Sequence, residues 1–314
     1  MFSACIVARS QAVRTFAPLG WRVFGLVLLA ALIARGGPAS AAEDAAEKIP
    51  PPEEVTVGTS DGLTLAATYY PSKAGKKAVP VILLHAWKGS RADFEDLALK
   101  LQRADHAVLA ADLRGHGADR ATALRNEDYV AMVFEDLEAI KKFLLVKNNA
   151  GELNIEKLCV VGAEMGSLVA VNWAAHDWSW PMLATGKQGQ DVKALVLISP
   201  EWVFKGLRLH DAMAQANVRA DLSVMIIAGG GNSKSLKEAK RVYGALERFH
   251  PTPPGEEAAD TKQTLWLRTP STSLQGTHLL NEKSLRVDQM ILKFIDLRLV
   301  KQPIPWSERK NPRE

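Results

Sequence analysis

The sequence predicts an α/β fold: a mostly parallel, twisted sheet with helices on both faces. Two observations carry this expectation. Short apolar runs of strand length alternate along the chain with longer stretches whose apolar residues recur at helical spacing. Such alternation implies right-handed crossovers between parallel strands. In addition, residues 157–168 read as strand, sharp turn and helix, with Gly162 and Gly166 bracketing Glu164. Glycines suit a turn that backbone crowds from both sides.

The elements follow in order. Residues 54–58 and 63–70 flank Ser60-Asp61-Gly62 and predict a hairpin, placed as the antiparallel edge of the sheet. Residues 79–87 are an apolar buried strand, 91–104 a helix, 107–113 a strand and 127–146 a long amphipathic helix. The strand 158–161 enters the glycine-flanked turn, and a helix runs on through Ala175. Further strands fall at 192–198, 222–228 and 263–267, with helices at 235–249 and 284–300. Between Ser199 and Asp221, residues Trp202, Phe204, Leu207, Leu209 and Met213 predict a short lid of one helix, most of it packed on the sheet, with Trp202 at a pocket. Trp178 and Trp180 follow a returning helix, which predicts packing at the opposite edge.

At 314 residues, 47% hydrophobic and 24% charged, the chain suits one large domain over 54–300. The sequence pI near 9.0 is a local excess. Residues 1–41 hold Arg9, Arg14, Arg22 and Arg35 and no acid; without them the remainder is formally neutral, with no basic stripe for nucleic acid. The same segment reads as an export signal. Arginines precede an apolar run at 23–34, and Ala39-Ser40-Ala41 fits a cleavage site after Ala41. A run of that length is short of the roughly 20 residues that span a bilayer. The prediction is therefore an exported protein, periplasmic or extracellular, with no membrane contact after cleavage; the alternative is an N-terminal anchor beginning near Phe16. Residues 42–53, with Pro50-Pro51-Pro52, read as a tether, and 301–314 as a C-terminal tail. The two cysteines are Cys5, in the export segment, and Cys159, read as a core residue.

Three motifs stand at successive strand ends: His85-Ala86-Trp87-Lys88-Gly89-Ser90, Asp112-Leu113-Arg114-Gly115-His116-Gly117 and Gly162-x-Glu164-x-Gly166. Together with the element order they resemble the α/β-hydrolase family over residues 54–300, the third motif matching its G-x-S-x-G turn with glutamate in place of serine. The resemblance implies an oxyanion hole from the backbone N–H groups of Trp87 and Met165 and a catalytic base at His278 in Gly276-x-His278. It places the acid at Asn232, where the family has Asp, with Glu201 as an alternative supplied from the preceding strand. It also implies structural roles for His85 and His116.

Glu164 therefore decides the chemistry. Beside His278 it could form a structural ion pair or an acid–base dyad. As a nucleophile in place of the aspartate some members use, it would overshoot by about one C–C bond, 1.5 Å. A decayed site is the plainest reading. Against it, drift would favour Gly or Asn in a strained turn, whereas a glutamate adds the desolvation cost of a carboxylate. Ser90, Ser167, Ser199 and Ser233 lie near the rim but read as caps or loop hydroxyls. Glu164, His278 and Asp112 lack metal-ligand spacing, and no G-K-[ST] follows Gly229-Gly230-Gly231, so neither metal nor cofactor is expected. Two functions remain: a non-hydrolytic protein that binds a small-molecule ligand or a partner, or a hydrolase of small esters or related substrates using Glu164 and His278.

Overall fold

Strands buried between two layers of helices must be apolar on both faces, and the central runs of this chain are. The computed structural model describes residues 49–119, 123–184, 186–255 and 261–309, which fall in one compact unit. The predicted export segment 1–41 and most of the tether lie outside the described residues. The strands are β1 (Glu53–Gly58), β2 (Thr64–Tyr70), β3 (Pro80–Leu84), β4 (Ala107–Ala111), β5 (Leu158–Ala163), β6 (Val192–Ile198), β7 (Val203–Phe204), β8 (Leu207–Arg208), β9 (Ser223–Ile227) and β10 (Leu265–Arg268). The helices with labels used below are α1 (Glu95–Arg103), α2 (Asn126–Ala131), α3 (Leu137–Asn149), α4 (Met165–Ser179), α5 (Leu209–Met213), α6 (Ala216–Ala220) and α7 (Ser233–Leu246).

Eight of the strands form one sheet in the order β1-β2-β4-β3-β5-β6-β9-β10. β1 and β2 pair antiparallel, β2 meets β4 antiparallel, and every other pairing is parallel. The antiparallel edge hairpin is thus where the sequence placed it. Alternate residues of β3 serve opposite faces: Ile82 and Leu84 join a core with α3, α4 and α7, while Val81 and Leu83 join one with α1 and the helix Val287–Ile295. Cys159 is fully buried in the second core, and burial raises its thiol pKa.

Three elements differ from the sequence expectation. The helix expected at 127–146 is broken: α2 and α3 are joined by a π-helical turn, Met132–Asp136. That wider turn buries Asp136, which accepts the Arg114 N–H at 2.9 Å and pairs with its guanidinium at 2.7 Å. The helix expected at 284–300 runs from Val287 to Ile295 and closes in a second π-helical turn. The lid is a correction in kind: in place of one helix it begins with the hairpin β7–β8, followed by α5 and α6. Its turn, Lys205-Gly206, has φ of 46° and 89° at the two positions, the left-handed pair that a two-residue hairpin loop requires.

Residues 301–309 are bound to the domain by named contacts. Asn148, Asn149 and Asn154 donate to the carbonyls of Ser307 (3.0 Å), Arg309 (2.7 Å) and Ile304 (3.3 Å). Lys76 sits over the Trp306 ring at 3.7 Å.

Candidate functional site

β5 ends at Ala163 and α4 starts at Met165, so the chain reverses through Glu164 alone. That residue takes φ 48° and ψ −112°, a sparsely populated conformation that costs about 1–3 kcal/mol outside glycine. Its neighbours show why the turn is kept. A Cβ on Gly162 would lie 2.3 Å from the Gly166 carbonyl oxygen, and one on Gly166 would lie 2.2 Å from that of Leu84. Both glycines are therefore demanded by backbone packing, and the Glu164 N–H is anchored to the Ile198 oxygen at 2.8 Å.

The loop before His278 closes directly onto this turn. Gly276, at φ 57°, is so near that an added Cβ would meet the Glu164 Oε1 at 2.6 Å. The Gly276 N–H donates to the Ser199 hydroxyl at 2.9 Å, and Ser199, at φ 49°, is itself pinned to the Ile227 oxygen at 2.7 Å. From the other side, Gly229-Gly230-Gly231 packs backbone to backbone against 269–274; a Cβ on Gly229 would meet the Leu274 oxygen at 2.3 Å. The three-glycine run is thus a close-packing device between two loops.

The carboxyl of half-buried Glu164 titrates above its ordinary value. Burial is the main cause and the Glu201 charge adds to it, while His278 and Lys234 pull the other way. Glu201 makes its ion pair with Lys234 at 3.3 Å. His278, exposed at the start of the short helix His278–Asn281, is electrostatically coupled to Glu164, but no hydrogen bond or ion pair within 4.0 Å joins them among the described residues. Asn232 caps α7 by accepting the Ser235 N–H at 3.0 Å, and its Nδ2 donates to Gln275 at 3.1 Å. The structure thus gathers Glu164, Glu201 and His278 around one turn and gives the Asn232 side chain partners other than the imidazole. Gly276 and Lys234 were missed as site residues from sequence; Gly276 carried a signal in its spacing to His278, and Lys234 carried none.

Trp87 and Met165 have backbone N–H groups with no acceptor among the described residues, and that of Met165 opens α4, where the helix dipole is positive. The Trp87 indole is 43% exposed and lies 5.9 Å from the Phe204 ring, which Tyr129 meets edge-on at 5.5 Å. The β7–β8 hairpin thereby sets Phe204 in an aromatic cluster with Trp87 and Tyr129.

The remaining motif residues hold loops together. Buried His85 donates from Nδ1 to the Ala86 oxygen at 2.8 Å and accepts the Leu113 N–H on Nε2 at 3.1 Å; burial lowers its pKa to about 4. His116 packs on it at 4.9 Å. Asp112 accepts the Arg91 N–H at 2.6 Å and pairs with its guanidinium. Ser167 donates to the Gly162 oxygen at 2.7 Å, so neither it nor Ser199 stands free at the turn. Among the described residues, clefts of ≈470 and ≈600 Å³ occur elsewhere, and neither includes Glu164 or His278 in its lining.

Residues 79–232 match the family model described as the alpha/beta hydrolase fold. No curated protein matches the chain in sequence. Among solved structures, the Pyrococcus furiosus esterase Pf2001 superposes with TM-score 0.58 at 15% identity, covering 79% of this chain and 93% of its own. A thermostable carboxyl esterase from Bacillus coagulans gives 0.57 at 12% identity, covering 80% of this chain and 99% of its own. The dienelactone hydrolase of Anabaena variabilis gives 0.51 at 16% identity, covering 80% and 100%. At these identities the neighbours establish the fold alone. Sheet order, crossovers and family match together make this chain an α/β-hydrolase-fold protein.

Proposed function

We propose that this chain is an exported α/β-hydrolase-fold protein that does not run serine hydrolysis and instead binds a small-molecule ligand or a partner at the Glu164 turn. The observation that carries this reading is the turn itself. A carboxylate fills the position a serine nucleophile would hold, under Gly276, with its proton affinity raised by burial. A carboxylate there repels the oxyanion that a hole formed by Trp87 and Met165 would stabilise. Asn232 supplies no charge to an imidazolium, and its amide is spent on Gln275 and on the α7 cap. Export rests on residues 1–41 of the sequence.

A second reading is favoured by one observation, the electrostatic coupling between Glu164 and His278. On that reading the pair acts on a small ester, the substrate class of the esterases it resembles in fold. The two readings part on one experiment. Turnover of p-nitrophenyl acetate and butyrate is measured for the purified protein and for Glu164→Ala, together with labelling by a fluorophosphonate. The binding reading expects neither turnover nor labelling in either protein. It also expects labelling to appear in the double variant Glu164→Ser, Asn232→Asp, which restores a nucleophile and a charge at the family's positions. Wild-type turnover that disappears in Glu164→Ala would establish the enzyme instead.

A further inference from the structure

Away from Glu164, a cleft of ≈600 Å³ opens between the tip of the β1–β2 hairpin, the start of α3 and the end of α4. That volume is in the range of small-molecule sites. None of the residues gathered around Glu164 lines it. Its most unusual feature is aromatic. Phe134 meets His176 edge-on at 5.0 Å and 83°, and His176 meets Trp180 at 5.6 Å and 73°. Rings set near right angles form a corner, not a stack, and all three line the same cleft. Phe134 is 48% exposed, which is unusual for a side chain with a core available to it. It is held outward by the π-helical turn Met132–Asp136, while its neighbour Val133 is buried. Such turns recur at functional sites because they re-aim side chains that a regular helix would place elsewhere. The sequence reading assigned Trp180 to packing; the structure places it on this cleft.

The same turn delivers charge. Glu135 accepts the Ser60 hydroxyl from the hairpin tip, and Glu138 accepts the Trp173 indole N–H at 2.8 Å while lying 3.7 Å from the His176 Nε2. Both carboxylates are thereby fixed in the wall beside the rings. Of the two lysines present, Lys141 is neutralised inside the protein by Asp177 and by Asp191 at 3.1 Å. Lys142 is exposed and has no ion pair among the described residues, so Glu135 and Glu138 share the cleft with one uncompensated lysine. An aromatic corner on a cleft beside anchored carboxylates suits one ligand chemistry, a cation with an apolar shell.

We propose that this cleft binds a small organic cation of the quaternary ammonium or alkylated amine class, with its charge in the Phe134–His176–Trp180 corner and Glu135 and Glu138 as counter-ions. The probe is benzyltrimethylammonium, titrated into the purified full chain by calorimetry and by ligand-observed NMR. Its neutral isostere, neopentylbenzene, is the control. Saturable binding is expected, weakened at least about tenfold for the isostere and for each of Phe134→Ala and Glu138→Gln, since tenfold is the loss of one modest cation–π or charge contact. Phe134 is exposed, and the amide oxygen introduced by Glu138→Gln keeps an acceptor for the Trp173 indole, so both variants retain the fold; their circular dichroism and melting temperature verify it. Three outcomes overturn the proposal: no saturable binding, equal binding of the neutral isostere, or unchanged binding in both folded variants.

Discussion

Arg309 is the most exacting test of how the C-terminal segment is held. Its side chain is 4% exposed and pairs with Asp191 and, at 2.9 Å, with Glu156; it also donates to the Lys187 carbonyl at 2.8 Å. Around it Lys141 bonds Asp177 and Asp191, and Lys187 bonds Glu156 and Asp191. Three cations thus face three anions with little exposure to water. Burial alone would raise the Asp191 carboxyl, but Lys141, Lys187 and Arg309 together hold it below its ordinary value. Arg309→Met keeps the apolar stem and deletes the charge, leaving the cluster one negative charge in excess. Breaking a buried pair costs about 3–5 kcal/mol. Lys141 and Lys187 remain at 3.1 and 2.9 Å from Asp191, so the lower end applies. For a domain of this size about 3 kcal/mol lowers the melting temperature by about 6–12 °C. Circular dichroism melts of wild type, Arg309→Met and the double variant Arg309→Met, Glu156→Gln read this directly. The double variant restores charge balance and loses less than the single. A single-variant shift within about 1 °C, well under 1 kcal/mol, refutes the reasoning, because a satisfied buried charge cannot be removed at that cost.

Three further outcomes follow from the same contacts. His106 is 3% exposed, burial lowers its pKa from 6.5 to about 4, and its Nδ1 has no hydrogen-bond partner among the described residues. A pKa lowered in the fold means stability present above pH 6.5 and lost as pH falls toward 4, by at most about 3 kcal/mol for a shift of this size; His106→Leu flattens that part of a melting-temperature profile, and an unchanged profile would remove His106 as a contributor. Glu164 has a raised pKa, so the stability it contributes is full below its unfolded value of 4.5 and is lost as pH rises through the folded value. Glu164→Gln therefore melts higher than wild type at pH 8 and gains nothing at pH 4; a gain of the reverse pH dependence would show that the carboxylate is a net stabiliser. Gly166→Ala drives a Cβ to 2.2 Å from the Leu84 oxygen, a backbone atom that cannot move cheaply, and costs about 3 kcal/mol or more in a urea titration.

What the sequence revealed, and what it hid, divides along physical lines. β3, β4 and β5 were legible because strands covered on both faces are apolar at every position, and each is buried throughout. Gly162 and Gly166 were legible because a missing Cβ leaves a mark wherever backbone crowds backbone. The break at Met132–Asp136 was not, because a π-helical turn changes the face a side chain occupies without breaking the apolar rhythm on either side. Nor were the partners of Asn232. Gln275 lies 43 residues away, and its approach depends on how two loops pack after the sheet has formed. Position in a motif therefore located Asn232 and left its bonding open.

That division bears on how Glu164 should be understood. The turn is specified by parts other than Glu164: two glycines, the Ile198 carbonyl that holds its N–H, and the helix that begins at Met165. The residue itself is costly twice over, once for a strained φ of 48° and once for a carboxyl whose burial disfavours its charge. Glycine at the same position would relieve both costs, since it adopts positive φ freely and carries no charge. A residue that opposes folding on two independent counts is poorly explained by loss of constraint, which favours substitutions that cost nothing. Those two costs support the proposed reading, in which the carboxyl serves a ligand beside His278 and Glu201.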